Sequence, residues 1–431
     1  MRRRRVPPAD GVQSWYRASA PPPHAHIALM GNARANICVI GGGFTGLSAA
    51  LHLAEKGAKV ALIEAGTVGS GASGRNGGQI HTGLRQHQKA LERWLGKEHA
   101  RALWDLAQES KALVRDLAAR HAIDCARKEG LVIGAHHRRA LRPLAEDTEH
   151  LRRHYNYGQA EMIDAAEMAR ALGTSAYPGG RLDRGGGYLH PLAFARGLAR
   201  AGEAAGVRFY EHTKAVRIEQ SERGVRVQCE SGAIDAGQVI MACDALSGDV
   251  VPQLAPFIAH VESFIVATEP LAGPLCDTVL PRDTAVADTR HVLDYYRKSE
   301  DRRLLFGGRE SYWTPPADIA AMVRPRMESV FPNLKGVRIE YAWSGTVGIT
   351  ATRMPHFGRI GSRVLFAHGY SGQGVALANL GGKLLAEAVL GAPERFDVFA
   401  RVPAKAFPGN AWLRKPLVTA GLAWFKLLDY L

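Results

Sequence analysis

Three glycines, Gly41, Gly43 and Gly46, stand in the GxGxxG spacing directly after the apolar run Ile37-Cys38-Val39-Ile40. That spacing suits a pyrophosphate. Gly41 turns the chain out of a strand, Gly43 lets the backbone approach the phosphates, and Gly46 lets the next helix pack closely on the sheet. Phe44 and Thr45 open that helix, whose unpaired N–H groups and positive dipole end face the phosphates. Glu64, with Ala65 beside it, ends the next apolar run, Val60-Ala61-Leu62-Ile63. An acid there accepts hydrogen bonds from an adenosine ribose and disfavours a 2′-phosphate. A glycine turn without a ligand is the bland alternative; the flanking strand, helix and acid favour a dinucleotide.

Two further glycine-rich stretches have no obvious work in a nicotinamide enzyme. The first is Ser73, Gly74, Arg75, Asn76, Gly77, Gly78 and Gln79. Its amides can wrap a flat ligand, Arg75 can neutralise a pyrophosphate, and Asn76 and Gln79 offer polar groups to ring heteroatoms. The second is Gly369, Ser371, Gly372, Gln373, Gly374 and Val375, between a strand and a helix. No second acid stands at ribose distance, so this is a lone helix N-terminus. It suits the ring edge of a flavin where negative charge builds on reduction. The three sites together favour FAD over NAD. A flexible loop and a packing turn are the ordinary readings of the second and third.

The elements that must position these residues follow from the pattern. A chain of 431 residues has room for two domains, and 46% apolar with 22% charged residues is ordinary for a globular enzyme. The net charge of +14 includes the run Arg2 to Arg5, which reads as a solvated tail. The other basic residues are scattered without interleaved aromatics, so no nucleic-acid partner is expected, and anionic ligands are favoured. Five cysteines, an odd count without CxxC, suggest neither disulfides nor a metal site and fit a cytoplasmic protein. No apolar stretch is long enough to span a bilayer. The oligomeric state is not legible.

Residues 1–34 read as an arm. An FAD-binding domain is expected from 35–120, 185–255 and 342–391, and a substrate domain from the insertions 121–184 and 256–341. A helical tail covers 392–431, its apolar end at 417–431 docking on the body or touching a membrane surface. The fold class is α/β, a Rossmann-like FAD-binding domain with a discontinuous antiparallel-sheet α+β second domain. Long helical patterning runs over 86–120. A helix is expected at 163–172 and strands at 208–210, 215–218, 225–229, 238–242, 264–268, 292–297 and 303–306. Val216, on the second of these strands, completes the cofactor-binding set.

These motifs, with Ser14-Trp15-Tyr16 in the arm, Gly187 to Pro191 and the tail from Phe407-Pro408-Gly409 onward, resemble the FAD-dependent amine and amino-acid oxidases of the D-amino-acid oxidase superfamily. Within it the resemblance is to the gamma-glutamylputrescine oxidoreductase branch. It implies hydride transfer from the carbon beside an amine nitrogen to flavin N5, then hydrolysis of the imine to aldehyde and ammonia, with molecular oxygen as acceptor. A dehydrogenase passing electrons to a quinone, or a flavin-binding module assisting a partner, are the alternatives. Alignment over the ring then matters more than a strong base. The expected pocket residues are Tyr295, Tyr296 and Arg309 on the second sheet, with His81 and Trp343. Neighbours on a strand alternate, so Tyr295 and Tyr296 cannot both face the pocket. Arg297 and Arg309 could hold a distant substrate carboxylate; an ion pair is the plain alternative for Arg309, and a structural place for His81 and Trp343. Some relatives attach FAD through a cysteine on the strand returning to the flavin domain; 343–352 has none, so the FAD is expected to be non-covalent. Leu305 stands where the resemblance places an oxygen-activating lysine.

Overall fold

The computed structural model describes residues 13–311 and 316–409. The expectations for Arg2 to Arg5 and for the apolar segment 417–431 fall outside those residues. The apolar runs around the first glycine motif form the centre of an eight-stranded sheet. Val364–His368, Gly232–Met241, Gly31–Ile40, Val60–Ile63 and Arg208–Tyr210 lie side by side and parallel. Val60–Ile63 is buried at every position, as a strand covered on both faces must be. Alternation assigns the two faces. Val39, Leu62 and Ile240 pack with the helices Phe44–Glu55, Lys97–Arg120, Pro191–Ala204 and Gly374–Val389. Cys38, Ile40, Ala61 and Val239 pack under the hairpin Ala215–Ser221 and Gly224–Cys229.

The second sheet has nine strands, in the order Ile339–Ile349, Ala259–Thr268, Leu304–Ser311, Tyr295–Lys298, Ala285–Asp288, Lys128–Gly134, Gly179–Tyr188 and Gln79–Ile80, with Ala160–Asp164 beside Gly179–Tyr188. It is antiparallel except where Ala285–Asp288 runs parallel to Lys128–Gly134. One face carries Phe264, Tyr296, Phe306 and Phe331 under the helix Ile319–Val330. The other carries Ile265, Leu305 and Trp343, covered by Trp15 and Tyr16 of the arm and by Leu192. Gln79–Ile80 is itself an edge strand here, so the glycine-rich loop before it is fastened to the second sheet.

Several local expectations differ from the structure for identifiable reasons. The patterning over 86–120 is two helices, Gln88–Leu95 and Lys97–Arg120, separated at Gly96 with φ +87°. The expected helix at 163–172 is the strand Ala160–Asp164 followed by the helix Ala165–Leu172. Asp164 makes the break by accepting the Glu167 N–H at 2.8 Å. The arm holds the short helix Trp15–Ser19 and lies along Pro191–Ala204, where His24 pairs with Glu203 at 2.6 Å and His26 pairs with the same carboxylate. All five cysteines are free thiols. Among the described residues no helix is long and apolar enough to cross a membrane.

Candidate active site

The first glycine turn is crowded on every side. A Cβ on Gly41, which has φ +111°, would stand 2.6 Å from the Ala242 carbonyl oxygen, and one on Gly46 would stand 1.9 Å from that of Gly41. A Cβ on Gly43 would meet the Ser73 hydroxyl at 2.9 Å. Gly43 caps the helix Phe44–Glu55 without a side chain of its own, and Ser73 Oγ accepts the Phe44 N–H at 2.9 Å. Thr45 Oγ1 meets the Tyr370 hydroxyl at 2.8 Å, which ties this helix start to the distant glycine turn. Glu64 accepts the Gly42 and Gly66 N–H groups at 2.7 and 2.8 Å, one on each oxygen, so its carboxylate is fixed in place. Ala65 is exposed beside it, and Val216 is 52% exposed on the hairpin next to Thr213, whose N–H bonds the Glu64 carbonyl.

The loop from Ser73 to Gln79 is braced, not loose. Arg75 donates to the carbonyls of Ser70 at 2.7 Å and Ser344 at 3.1 Å. Asn76 bonds the Ala72 and Ser73 carbonyls and accepts the Gly78 N–H at 2.7 Å. Gln79 donates to the Val286 carbonyl at 2.7 Å. These side chains, expected to serve the ligand, also hold the loop itself, because a glycine-rich turn needs side-chain bonds to keep one shape. Gly74 and Gly78 are where the backbone runs closest, their Cβ positions lying 2.2 Å from the Gly69 oxygen and 2.0 Å from the Leu189 oxygen.

The third stretch begins at Gly369, φ +75°, whose N–H is accepted by Asp244 at 2.8 Å. Asp244 also takes the Gly348 N–H at 3.1 Å, and burial pushes its carboxyl up. Ser371 sits at φ +52° and bonds Gly348 and Thr350, and Gly372 follows at φ +90°. The helix Gly374–Val389 then starts, with Val375 buried at its N-terminus and no side-chain cap from Gln373. Gln373 Oε1 is buried without a partner. Two helix starts without caps of their own, and an orphaned amide oxygen at one of them, fit a long ligand with a pyrophosphate at one end and a polar ring at the other.

The second sheet closes the site. Tyr295 lies against the flavin-loop glycine Gly77, whose Cβ position is 2.8 Å from its ring, and its hydroxyl meets Ser263 at 3.1 Å. Tyr296 points the other way: it stacks on Phe306 at 5.3 Å and bonds Tyr177, deep in the domain core. Trp343 is fully buried and donates to the Arg75 carbonyl at 3.0 Å, so it braces the loop. His81 is half-buried, and burial, reinforced by Arg85, pushes it down to about 4. It is neutral at pH 7 and suited to no cationic role.

Arg309 lies on the other face from the one expected. Strict alternation from Leu305 and Gly307 puts it on the Tyr295 face. The register shifts there: Ile265 pairs with Gly307 but Phe264 with Arg309, a bulge at Gly308 with φ +156°. Arg309 thus shares the core face with Phe264 and acts on the Asp294 carboxyl. Glu310, opposite Ser263, takes the pocket face. Arg297, 1% exposed, donates to the carbonyls of Gly77 at 3.1 Å and Lys298 at 2.9 Å. Its guanidinium lies between the rings of Trp15, Tyr16 and Tyr188, at 5.0 to 5.9 Å. It is a clamp from the second sheet to the flavin loop and the arm. Asp244, Arg297 and Glu310 were not singled out for these places. Only the tertiary pairing of distant strands and turns reveals them.

A family model described as FAD dependent oxidoreductase matches residues 36–388. The probable oxidoreductase OrdL of Rhizobium meliloti (strain 1021) is 40% identical over 98% of this chain and 98% of its own. Gamma-glutamylputrescine oxidoreductase of Escherichia coli (strain K12) is 38% identical over 98% of this chain and 99% of its own. Among solved structures, glycine oxidase from Geobacillus kaustophilus has a TM-score of 0.71 at 23% identity, covering 83% of this chain and 95% of that one, and so has the same fold. The site geometry fits the cofactor that this family uses, and the chain belongs to the FAD-dependent oxidoreductase family of the D-amino-acid oxidase superfamily.

Proposed function

We propose that the protein oxidises a primary amine whose carboxylate lies far from the reacting carbon, a gamma-glutamylputrescine-like compound. The observation that carries this reading is the 38% identity with gamma-glutamylputrescine oxidoreductase over nearly the whole of both chains. The site supports it. Arg297 is committed to main-chain carbonyls and Arg309 faces the core, so neither is placed to hold an α-carboxylate against the flavin loop. Bound FAD supplies the hydride acceptor. The residues here align and exclude water. Tyr295 and Ser263 give the pocket a neutral, rigid wall, with the phenol pushed further up by burial. Neutral His81 adds no charge to repel an amine. Loss of hydride and a proton turns the CH–NH2 carbon into an imine, and water converts this to aldehyde and ammonia. Molecular oxygen takes the two electrons to give hydrogen peroxide, slowly, since Leu305 is 3% exposed under Trp15 and Tyr16 and brings no positive charge.

The test is anaerobic flavin bleaching by gamma-glutamylputrescine, putrescine, sarcosine and glycine. The expected order has gamma-glutamylputrescine first by at least tenfold in kcat/KM. Preference for glycine or sarcosine overturns the reading. Stopped-flow reoxidation in air-saturated buffer, expected to be slower than reduction at saturating amine, tests the acceptor.

A further inference from the structure

We propose that Arg85, Arg353 and Glu310 form a recognition site for the α-amino-acid head of the substrate, two guanidinium groups for its carboxylate and one carboxylate for its ammonium. This rests on the gamma-glutamyl amine reading above and names the residues that make the choice.

Three elements, far apart in sequence, bring the charges together. Arg85 follows the edge strand Gln79–Ile80 that ends the flavin loop. Arg353 lies in the turn after Ile339–Ile349, where its N–H bonds the Thr350 carbonyl at 3.1 Å. The two segments are stitched by Gln86, which donates to the Thr352 carbonyl at 2.8 Å, so Arg85 and Arg353 flank one hydrogen bond. Glu310 comes from the end of Leu304–Ser311, turned inward by the bulge at Gly308. Along this face Gly77 touches Tyr295, Tyr295 meets Ser263, and Ser263 stands opposite Glu310. Glu310 is therefore set beyond Tyr295, away from the flavin loop, where the far end of a long substrate would reach.

The charges are unbalanced in a telling way. Arg85 and Arg353 are both half-buried, and neither forms a hydrogen bond or an ion pair with a described residue through its side chain. Arg85 is destabilised by its burial and by Arg353, and Glu310 opposes this. Two partly desolvated guanidinium groups near each other are costly unless an anion joins them. A carboxylate suits them because the planar fork bonds it in pairs. An ammonium on the neighbouring carbon then meets Glu310. A free diamine would instead carry a second cation toward the two arginines and be repelled, which gives selectivity by repulsion as well as attraction.

The test uses the FAD-loaded enzyme and two amines, gamma-glutamylputrescine and N-acetylputrescine, the latter lacking the amino-acid head. Arg85→Met should raise KM for gamma-glutamylputrescine by roughly ten- to a hundredfold, the worth of one charged hydrogen bond. Its kcat should change little, and kcat/KM for N-acetylputrescine should stay within about twofold. Arg85→Lys should recover part of the loss, and Glu310→Gln should show the same selectivity. As a binding measurement, gamma-glutamylethylamide, which keeps the head but lacks the reacting amine, should perturb the flavin spectrum of the wild type and need at least tenfold more with Arg85→Met. Equal loss on both amines, or unchanged affinity for the head in Arg85→Met, overturns the site. A wild type that oxidises N-acetylputrescine but not gamma-glutamylputrescine overturns the proposed substrate instead.

Discussion

Arg297→Met removes the charge that joins the second sheet, the flavin loop and the arm while keeping most of the side chain's volume. The two well-formed bonds, to Gly77 at 3.1 Å and Lys298 at 2.9 Å, lie in a site that is 1% exposed. At roughly 1.5–3 kcal/mol for each charged hydrogen bond, the loss is about 3–6 kcal/mol. Unfolding entropy is about 2.1 cal/mol/K per residue. Over 431 residues, each kcal/mol then corresponds to about 1 °C. Tm of the holoenzyme should therefore fall by roughly 3–7 °C. The Gly77 share acts on the loop expected to wrap the cofactor, so FAD should bind about ten- to a hundredfold more weakly. Melting followed by flavin fluorescence gives the first quantity, and flavin release on dilution gives the second. The arm should also become more open to protease between Trp15 and Pro21, since Tyr16 loses its partner. A variant that melts within about 1 °C of the wild type and holds FAD as tightly would refute the clamp and show that water replaces the guanidinium without cost.

Three further outcomes are expected. Acid precipitation should release all the flavin into the supernatant, because 343–352 contains no cysteine and the five thiols are at 38, 125, 229, 243 and 276; colour in the pellet would contradict this. Gly46→Ala should abolish FAD-loaded protein, since its Cβ lands 1.9 Å from a backbone oxygen. Gly43→Ala should be milder, because its neighbour at 2.9 Å is the Ser73 hydroxyl, which can turn aside; visible absorbance of the purified variants separates the two. Stability should fall as the medium is acidified. Burial pushes His190 and His368 down to about 3 and His356 to about 4, and His356 and His368 share a bond of 2.9 Å that is lost once both rings are protonated. Their stabilisation is complete above the unfolded value of about 6.5 and is lost as pH drops toward the folded values, by at most about 1.4 kcal/mol per pH unit for each ring. Melting curves at pH 7.5, 6 and 5 should show this slope, and His368→Asn should make it shallower.

The glycine motif and its acid were legible because backbone geometry dictates them: no other residue fits at Gly41 or Gly46, and Glu64 sits where two loop amides converge. The parallel strands were legible from their unbroken apolar runs. Side-chain duties in the flavin loop were not, because Arg75, Asn76 and Gln79 look equally suited to a ligand or to a carbonyl, and only the folded loop shows the carbonyls nearby. The alternation rule separated Tyr295 from Tyr296 in principle without saying which lies against the glycine-rich loop. It failed for Arg309, since the register shift depends on how two strands distant in sequence align.

That register shift makes the sign of the pocket's charge a matter of parity. A single inserted position, Gly308, decides whether odd or even residues of the strand look toward the substrate. Flattening the bulge, so that Gly308 paired with Phe264, would bring Arg309 inward opposite Ser263 and send Glu310 to the core face, so an acidic wall would become a basic one with no side chain exchanged. Descendants of this scaffold could thus move between cationic and anionic substrate ends through the loss or gain of this one bulge, a shorter route than successive substitutions.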